Sequence, residues 1–219
     1  MSLTKEWDWE KGFEDRWLEP IDEAYSYANR WKRLGFKDVL DLGCGLGRHA
    51  IYFARQGFNV HAFDLSQEAV DYLTKWAAEE NLPMQVEKAN MLKMPYPDNS
   101  LDAIFSIHVI THTDTEGIRT ILSEILRVLR PGGEIFFSLA AKECYRWSFK
   151  HWPMIDENTL QCTDEGPEKG VPHFHADKAF LRNSLSGFKV RQIQLVNSWI
   201  SDDIEVNRWH YYLNLAKKG

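Results

Sequence analysis

Two spacings of apolar and polar positions alternate along the chain, and their order predicts its elements. Near the start, Trp17, Ile21, Ala24, Tyr25 and Ala28 recur close to every 3.6 residues, the stripe of an amphipathic helix lying on a core. Val39, Leu40 and Leu42 then read as a buried parallel strand, and a helix with Ala50, Ile51, Phe53 and Ala54 inward ends at Gly57. A helix capped by Ser66 runs to about Glu80, with Ala69, Val70, Leu73 and Ala77 on its inner face. A short apolar strand lies around Ile104. The next helix starts at Asp114 or Thr115, and its stripe from Ile118 to Leu129 stops at Pro131 and Gly132 before another strand. Such alternation implies a parallel sheet with helices on both faces.

Past residue 141 the periodicity fades. Residues 142–172 carry Trp147, Phe149, Trp152, Pro153, Pro167 and Pro172, a long stretch for a plain connection and of the kind that is often functional. A short helix over 177–186 and strands over 188–196 and 208–215 close the chain, the connection between the strands being short enough for an antiparallel return. We therefore expect one domain over 1–219: a helical cap (1–36), a regular core (37–141), a lid (142–175) and a C-terminal helix with two strands (176–219).

Composition narrows this little. With 219 residues, 44% of them apolar, the chain can bury the core of one α/β unit, and a net charge of −6 argues against a grip on long nucleic acid. Three cysteines, Cys44, Cys144 and Cys162, an N-terminal stretch without an apolar signal core and no membrane-length apolar run predict a soluble cytoplasmic protein. Monomer and dimer both stay open.

The chemistry concentrates after the first strand. In Asp41-Leu42-Gly43-Cys44-Gly45-Leu46-Gly47 three alternating glycines permit a tight turn and close backbone approach, and the helix opening at Arg48 offers free amides and a positive dipole end to an anion. The spacing is G-x-G-x-G, not the G-x-G-x-x-G of dinucleotide pyrophosphate sites. Asp41 at the strand tip would repel a pyrophosphate but attract an ammonium group or its water, so the expected ligand carries both charges.

These residues resemble the first motif of the class I S-adenosylmethionine-dependent methyltransferases. Val60-His61-Ala62-Phe63-Asp64-Leu65-Ser66 is similar to the family's second strand, whose acid binds the ribose, and Val86-Glu87-Lys88-Ala89-Asn90-Met91 to its third strand and adenine turn, with Asn90 where Asp is usual. Leu101 to His108 and Leu129 to Ile135 resemble the fourth strand and the turn into the fifth, so the resemblance spans about residues 37–141. It implies a Rossmann-like, seven-stranded, mostly parallel sheet with an antiparallel last strand. It also implies S-adenosylmethionine as cofactor, with Asp41, Gly43, Cys44, Gly45, Gly47, Asp64, Leu65, Asn90, Met91 and Ser106 around it.

The acceptor is less defined. Methyl transfer from a sulfonium needs positioning above all, and a base only for acceptors protonated at neutral pH. His108 and His112 follow the fourth strand and are the candidate catalytic residues; capping a helix or facing solvent is the alternative for each. His173 and His175 with those two would offer four nitrogens to a metal, but no metal is expected. The resemblance makes 171–175 an edge segment closing the acceptor side. Trp7, Trp9, Trp17, Trp31, Trp147, Trp152, Trp199 and Trp209 all lie outside 39–141, either as an aromatic lid over the sulfonium or as packing on the sheet. Arg48 either clamps the methionine carboxylate or points to solvent, and Lys142, Arg146 and Lys150 form a basic cluster able to receive an acidic substrate. A small-molecule acceptor methylated at O or N is the expectation, with an RNA or protein methyltransferase or a non-catalytic S-adenosylmethionine-binding domain as alternatives.

Overall fold

The computed structural model describes residues 3–199 and 207–219. A short helix α1 (Trp9–Gly12) and a 3-10 turn (Asp15–Leu18) precede α2 (Asp22–Arg33). Then strand and helix alternate: β1 (Asp38–Leu42), α3 (Arg48–Arg55), β2 (Asn59–Asp64), α4 (Gln67–Glu79), β3 (Met84–Lys88), β4 (Leu101–Ser106), α5 (Thr115–Val128) and β5 (Leu129–Ala141). The lid region holds a 3-10 turn (Tyr145–Ser148), β6 (Met154–Asp156), β7 (Thr159–Gln161) and β8 (Pro172–Ala176), and α6 (Lys178–Ser184), β9 (Phe188–Trp199) and β10 (Asn207–Lys217) complete the chain.

Strands β3, β2, β1, β4 and β5 lie side by side in parallel, and β10 and then β9 add antiparallel beyond β5, giving the expected seven-stranded, Rossmann-like sheet. The turn between the last two strands, 200–206, lies outside the described residues. The region expected to be a plain lid differs: β8 pairs with Ala140 and Ala141 on the side of β5 that β4 vacates after Ser106, and β7 and β6 extend it as a small antiparallel branch. The expected edge segment 171–175 is thus an interior strand, every residue of β8 being buried. No alternation announces it because both of its faces are covered.

Two apolar layers flank the sheet. On one face α5 and α6 bring Ile118, Ile121, Ile125 and Phe180 against Leu40, Ile104 and Phe137. On the other, α2, α3 and α4 bring Trp31, Phe53 and Leu73 against Val39, Phe105 and Phe136. In α2 the inward residues are Ala24, Tyr27, Ala28 and Trp31, whereas Tyr25 is exposed and Trp17 belongs to the preceding turn. The helix starts later than its apolar spacing suggested, and its inward stripe runs from Ala24 to Trp31. Asp114 caps α5 by accepting from the Gly117 amide, while Ser66 occupies the α4 cap position without using its hydroxyl there. Among the described residues no helix is long and apolar enough to cross a membrane.

Candidate active site

The carboxyl ends of β1, β2 and β4 open onto one cavity of about 570 Å³, the place where open α/β sheets bind ligands. Its floor is the turn after β1. Gly43, Gly45 and Gly47 all take left-handed backbone (φ 67, 52 and 97°), which side chains with a Cβ rarely adopt. Space matters as well as φ: a Cβ on Gly45 would stand 2.7 Å from the Trp9 ring, which lies against this turn.

Two carboxylates hold the turn. Asp64, at the tip of β2, accepts from the Gly45 amide and the Ser66 amide, each at 2.9 Å, and lines the cavity. A carboxylate has about four lone-pair positions, so two remain for further donors. Asp41 is buried behind the turn and accepts from the Ala50 amide in the first turn of α3 at 2.9 Å; burial pushes its pKa up to about 7. It fastens the loop to α3.

Along one wall, the Asn90 side chain accepts from the Leu92 amide and donates to the Thr4 hydroxyl, both at 2.9 Å. Leu65, Met91, Phe63 and Ala89 give this wall an apolar surface beside that amide.

A second wall comes from the N-terminal segment, strapped across the opening. The Thr113 hydroxyl donates to the Leu3 carbonyl at 2.8 Å, the Asp8 amide to the Pro167 carbonyl at 3.3 Å, and the Lys5 ammonium to the Lys169 carbonyl. Trp7, Trp9 and Trp17 meet as a cluster with ring centroids 5.9 to 6.2 Å apart, all three facing the cavity. Arg48 donates to the Arg16 and Glu19 carbonyls at 2.9 and 3.2 Å while its guanidinium covers Trp17 at 5.2 Å. It is therefore neither free nor turned to solvent, and it anchors the strap.

The far end is polar. His108 and His112 both line the cavity, and Asp114, not a histidine, caps α5. His108 has φ 60° and donates its amide to the Ser138 hydroxyl at 2.8 Å, and its ring lies 4.6 Å from that of His210. His112 stacks on Trp7 at 6.1 Å and sits 5.0 Å from His173. Burial holds His108, His112 and His173 below the usual imidazole pKa, and His175 and His210 down to about 4 and 3. Arg146 and Arg208 also face the cavity, Arg146 donating to Glu168.

A family model described as a methyltransferase domain matches residues 39–133, the span holding the glycine turn, Asp64 and Asn90. That span is a methyltransferase domain. It is 36% identical over 186 residues to the sterol 24-C-methyltransferase of Yarrowia lipolytica, a match covering 80% of this chain and 44% of that enzyme. The chain thus spans less than half the length of the fungal relatives it matches. In fold it is similar to a methyltransferase of Methanosarcina mazei (TM-score 0.72, 20% identity, 92% of this chain and 99% of that one). It is also similar to the magnesium protoporphyrin IX methyltransferase of Synechocystis PCC 6803 solved with bound SAH, S-adenosylhomocysteine (TM-score 0.65, 16% identity, 90% and 82%).

Of the residues expected around the cofactor, Gly43, Cys44, Gly45, Asp64, Leu65, Asn90 and Met91 line the cavity, while Asp41, Gly47 and Ser106 do not. Ser106 is fully buried and donates to the Leu42 carbonyl at 2.9 Å, tying β4 to β1. Gly47 caps α3, and a Cβ there would collide with Leu73 at 2.2 Å. In this structure these three support the loop from behind the cavity lining.

Of the tryptophans, Trp7, Trp9, Trp17 and Trp152 line the cavity, whereas Trp31 packs in the core, Trp209 packs against it and Trp147 stacks near His175. His108, His112, His173 and His175 do not converge as one group of four nitrogens. His175 turns its Nδ1 to the His173 carbonyl at 3.0 Å, and it is Glu168 that joins His112 and His173, with ligand atoms within 4.8 Å of one another. Arg146 already occupies that carboxylate and would repel a cation there. The basic cluster also divides, Lys142 pairing with Asp177 at 3.0 Å while Arg146 enters the cavity. Sequence reading missed Arg208, Glu168, Tyr145 and Phe63, because the first three sit in segments whose placement depends on tertiary pairing.

Proposed function

We propose that the chain binds S-adenosylmethionine in this cavity and transfers its methyl group to O or N of a small-molecule acceptor, acting as one domain over 1–219. The observation that carries the reading is the union, in one cavity, of the glycine turn, Asp64 and Asn90 with a polar, histidine-rich far end.

The residues fit the donor. Asp64 keeps lone pairs for the ribose hydroxyls after bonding Gly45 and Ser66. Asn90 and Met91 offer an amide and an apolar face to adenine. The Trp7, Trp9 and Trp17 ring faces suit a sulfonium and exclude water from it. When bound, the cofactor supplies a methyl already activated by positive sulfur. What remains for the protein is to hold the acceptor atom in line at about 3–3.5 Å and to take a proton where the acceptor carries one. His112, with His108 second, is placed for that: an imidazole kept neutral by burial accepts a proton without first losing one. The Yarrowia relative is named for a sterol carbon; the charged far end here favours a polar acceptor atom instead.

The test compares thermal stabilisation by S-adenosylmethionine, S-adenosylhomocysteine and NAD. The first two should raise the melting temperature and NAD should not; stabilisation by NAD alone would sink the reading. A methyl-transfer screen over metabolites, RNA and protein then identifies the acceptor, and tight donor binding with no turnover on any of them leaves a binding domain.

A further inference from the structure

The far end of the cavity holds more positive charge and more hydrogen-bond donors than the protein itself satisfies. Arg146 and Arg208 arrive from elements distant in sequence, the lid turn after β5 and strand β10, and both line the cavity. The Arg146 guanidinium disfavours the charge on Arg208, and the carboxylate acting on both is Glu168. That single acid also serves His173, whose Nε2 lies 3.8 Å from it, and acts on His112. Asp164, which also feels Arg146, is held by His151 at 2.9 Å.

Donors are in excess too. The Nε of Arg208 and the Nε2 of His173 are buried without a hydrogen-bond partner, and the Tyr145 hydroxyl, which accepts from Arg146 Nε at 3.3 Å, is shared between the two guanidiniums. Two fixed positive charges therefore face one negative charge in a partly dehydrated space, and a buried uncompensated charge is costly. A protein keeps such an arrangement when a ligand completes it. Planar guanidinium forks match the oxygens of a carboxylate or phosphate better than any neutral group.

We propose that Arg146 and Arg208 form an oxyanion subsite, so that the acceptor is a small molecule carrying a carboxylate or phosphate group that docks beside His112. This rests on the methyltransferase reading and names the substrate class for the same cavity. The anionic group is an anchor: docked on the two guanidiniums, it sets which acceptor atom faces the donor methyl. His112 stacks on Trp7 of the strap and is acted on by Glu168 and Arg146, so it stands between the strap and this subsite.

The experiment uses the full chain saturated with S-adenosylhomocysteine, so that failure of donor binding, which sinks the methyltransferase reading, is recorded separately. Benzoate, benzamide and inorganic phosphate are then titrated by calorimetry. Benzoate or phosphate should bind at least about tenfold more tightly than benzamide, the discrimination of a charge-assisted pair over a neutral one, and which of the two wins tells carboxylate from phosphate. Arg208→Met should remove that preference. The same variant should melt at a higher temperature than the wild type in low salt without anion, since it relieves uncompensated charge. Equal binding of benzoate, phosphate and benzamide, an unchanged preference in Arg208→Met, or a lowered melting temperature for that variant would each overturn the proposal.

Discussion

At the donor end of the cavity, carboxylates hold backbone amides: Asp64 takes Gly45 and Ser66, and Asp41 takes Ala50. At the acceptor end, side chains from the β4 tip, the lid and β10 face one another, with guanidiniums outnumbering their acid and imidazoles held neutral. One end is complete before any ligand arrives, and the other is completed by it. The difference teaches where specificity resides: a cofactor shared by many enzymes suits a backbone cradle, whereas a particular acceptor suits side chains that can be exchanged without disturbing the sheet.

The sharpest break of this contrast is Asp64→Ala. Removing the acceptor of two ribose hydroxyls, each bond to a charged group being worth about 1.5–3 kcal/mol, should weaken S-adenosylhomocysteine binding by about 100-fold or more in calorimetry; wild-type affinity in the variant would remove the donor end as drawn. His112→Gln acts on the other end. Loss of a general base should lower kcat by about 100-fold on a hydroxyl or ammonium acceptor, with donor affinity intact, and a loss in donor affinity alone would deny the residue a catalytic part.

Acid should separate the ends through stability. The buried histidines have folded pKa values below the unfolded value near 6.5, so the unfolded chain binds more protons as pH falls, and their contribution, present above pH 6.5, is lost on acidification. His175 and His210, at about 4 and 3, should each lose about 2 kcal/mol between pH 7.5 and 5. Asp41, raised to about 7, opposes them, because the folded state gains its proton first. Urea midpoints at the two pH values should fall on acidification, and a midpoint that rises would show the carboxylates in control. The smallest effect is expected for Gly45→Ala, where a left-handed φ and the Trp9 ring should cost about 1–3 kcal/mol in urea unfolding, with the histidine-dependent slope unchanged.

Legibility in the sequence follows the same division. The glycine turn, Asp64 and Asn90 lie at strand tips, and a strand, a turn and a helix of ordinary length fix their positions, so local spacing was enough to read them. For Asp41 and Ser106 the sequence placed the residue but not its bonds to Ala50 and Leu42, because spacing does not say to which side of a strand tip a side chain turns. Arg208 carried no local signal at all: it reaches the cavity only because β10 returns antiparallel beside β5. Glu168 and Tyr145 lie in the region without periodicity, where β8 displaces the expected edge and draws the lid over the site.

The strap of the N-terminal segment carries a consequence in time. Leu3, Thr4 and Asp8 are fastened to Thr113, Asn90 and Pro167, three points around the mouth of the cavity. Parting of those fastenings, an event on the microsecond-to-millisecond scale of such segments, would widen the way out for a molecule inside. We propose that this segment sets a clock for each cycle, so that the expected kinetics are a fast first turnover, a slower steady state limited by departure of the demethylated product, and a rate that falls as the medium is made more viscous.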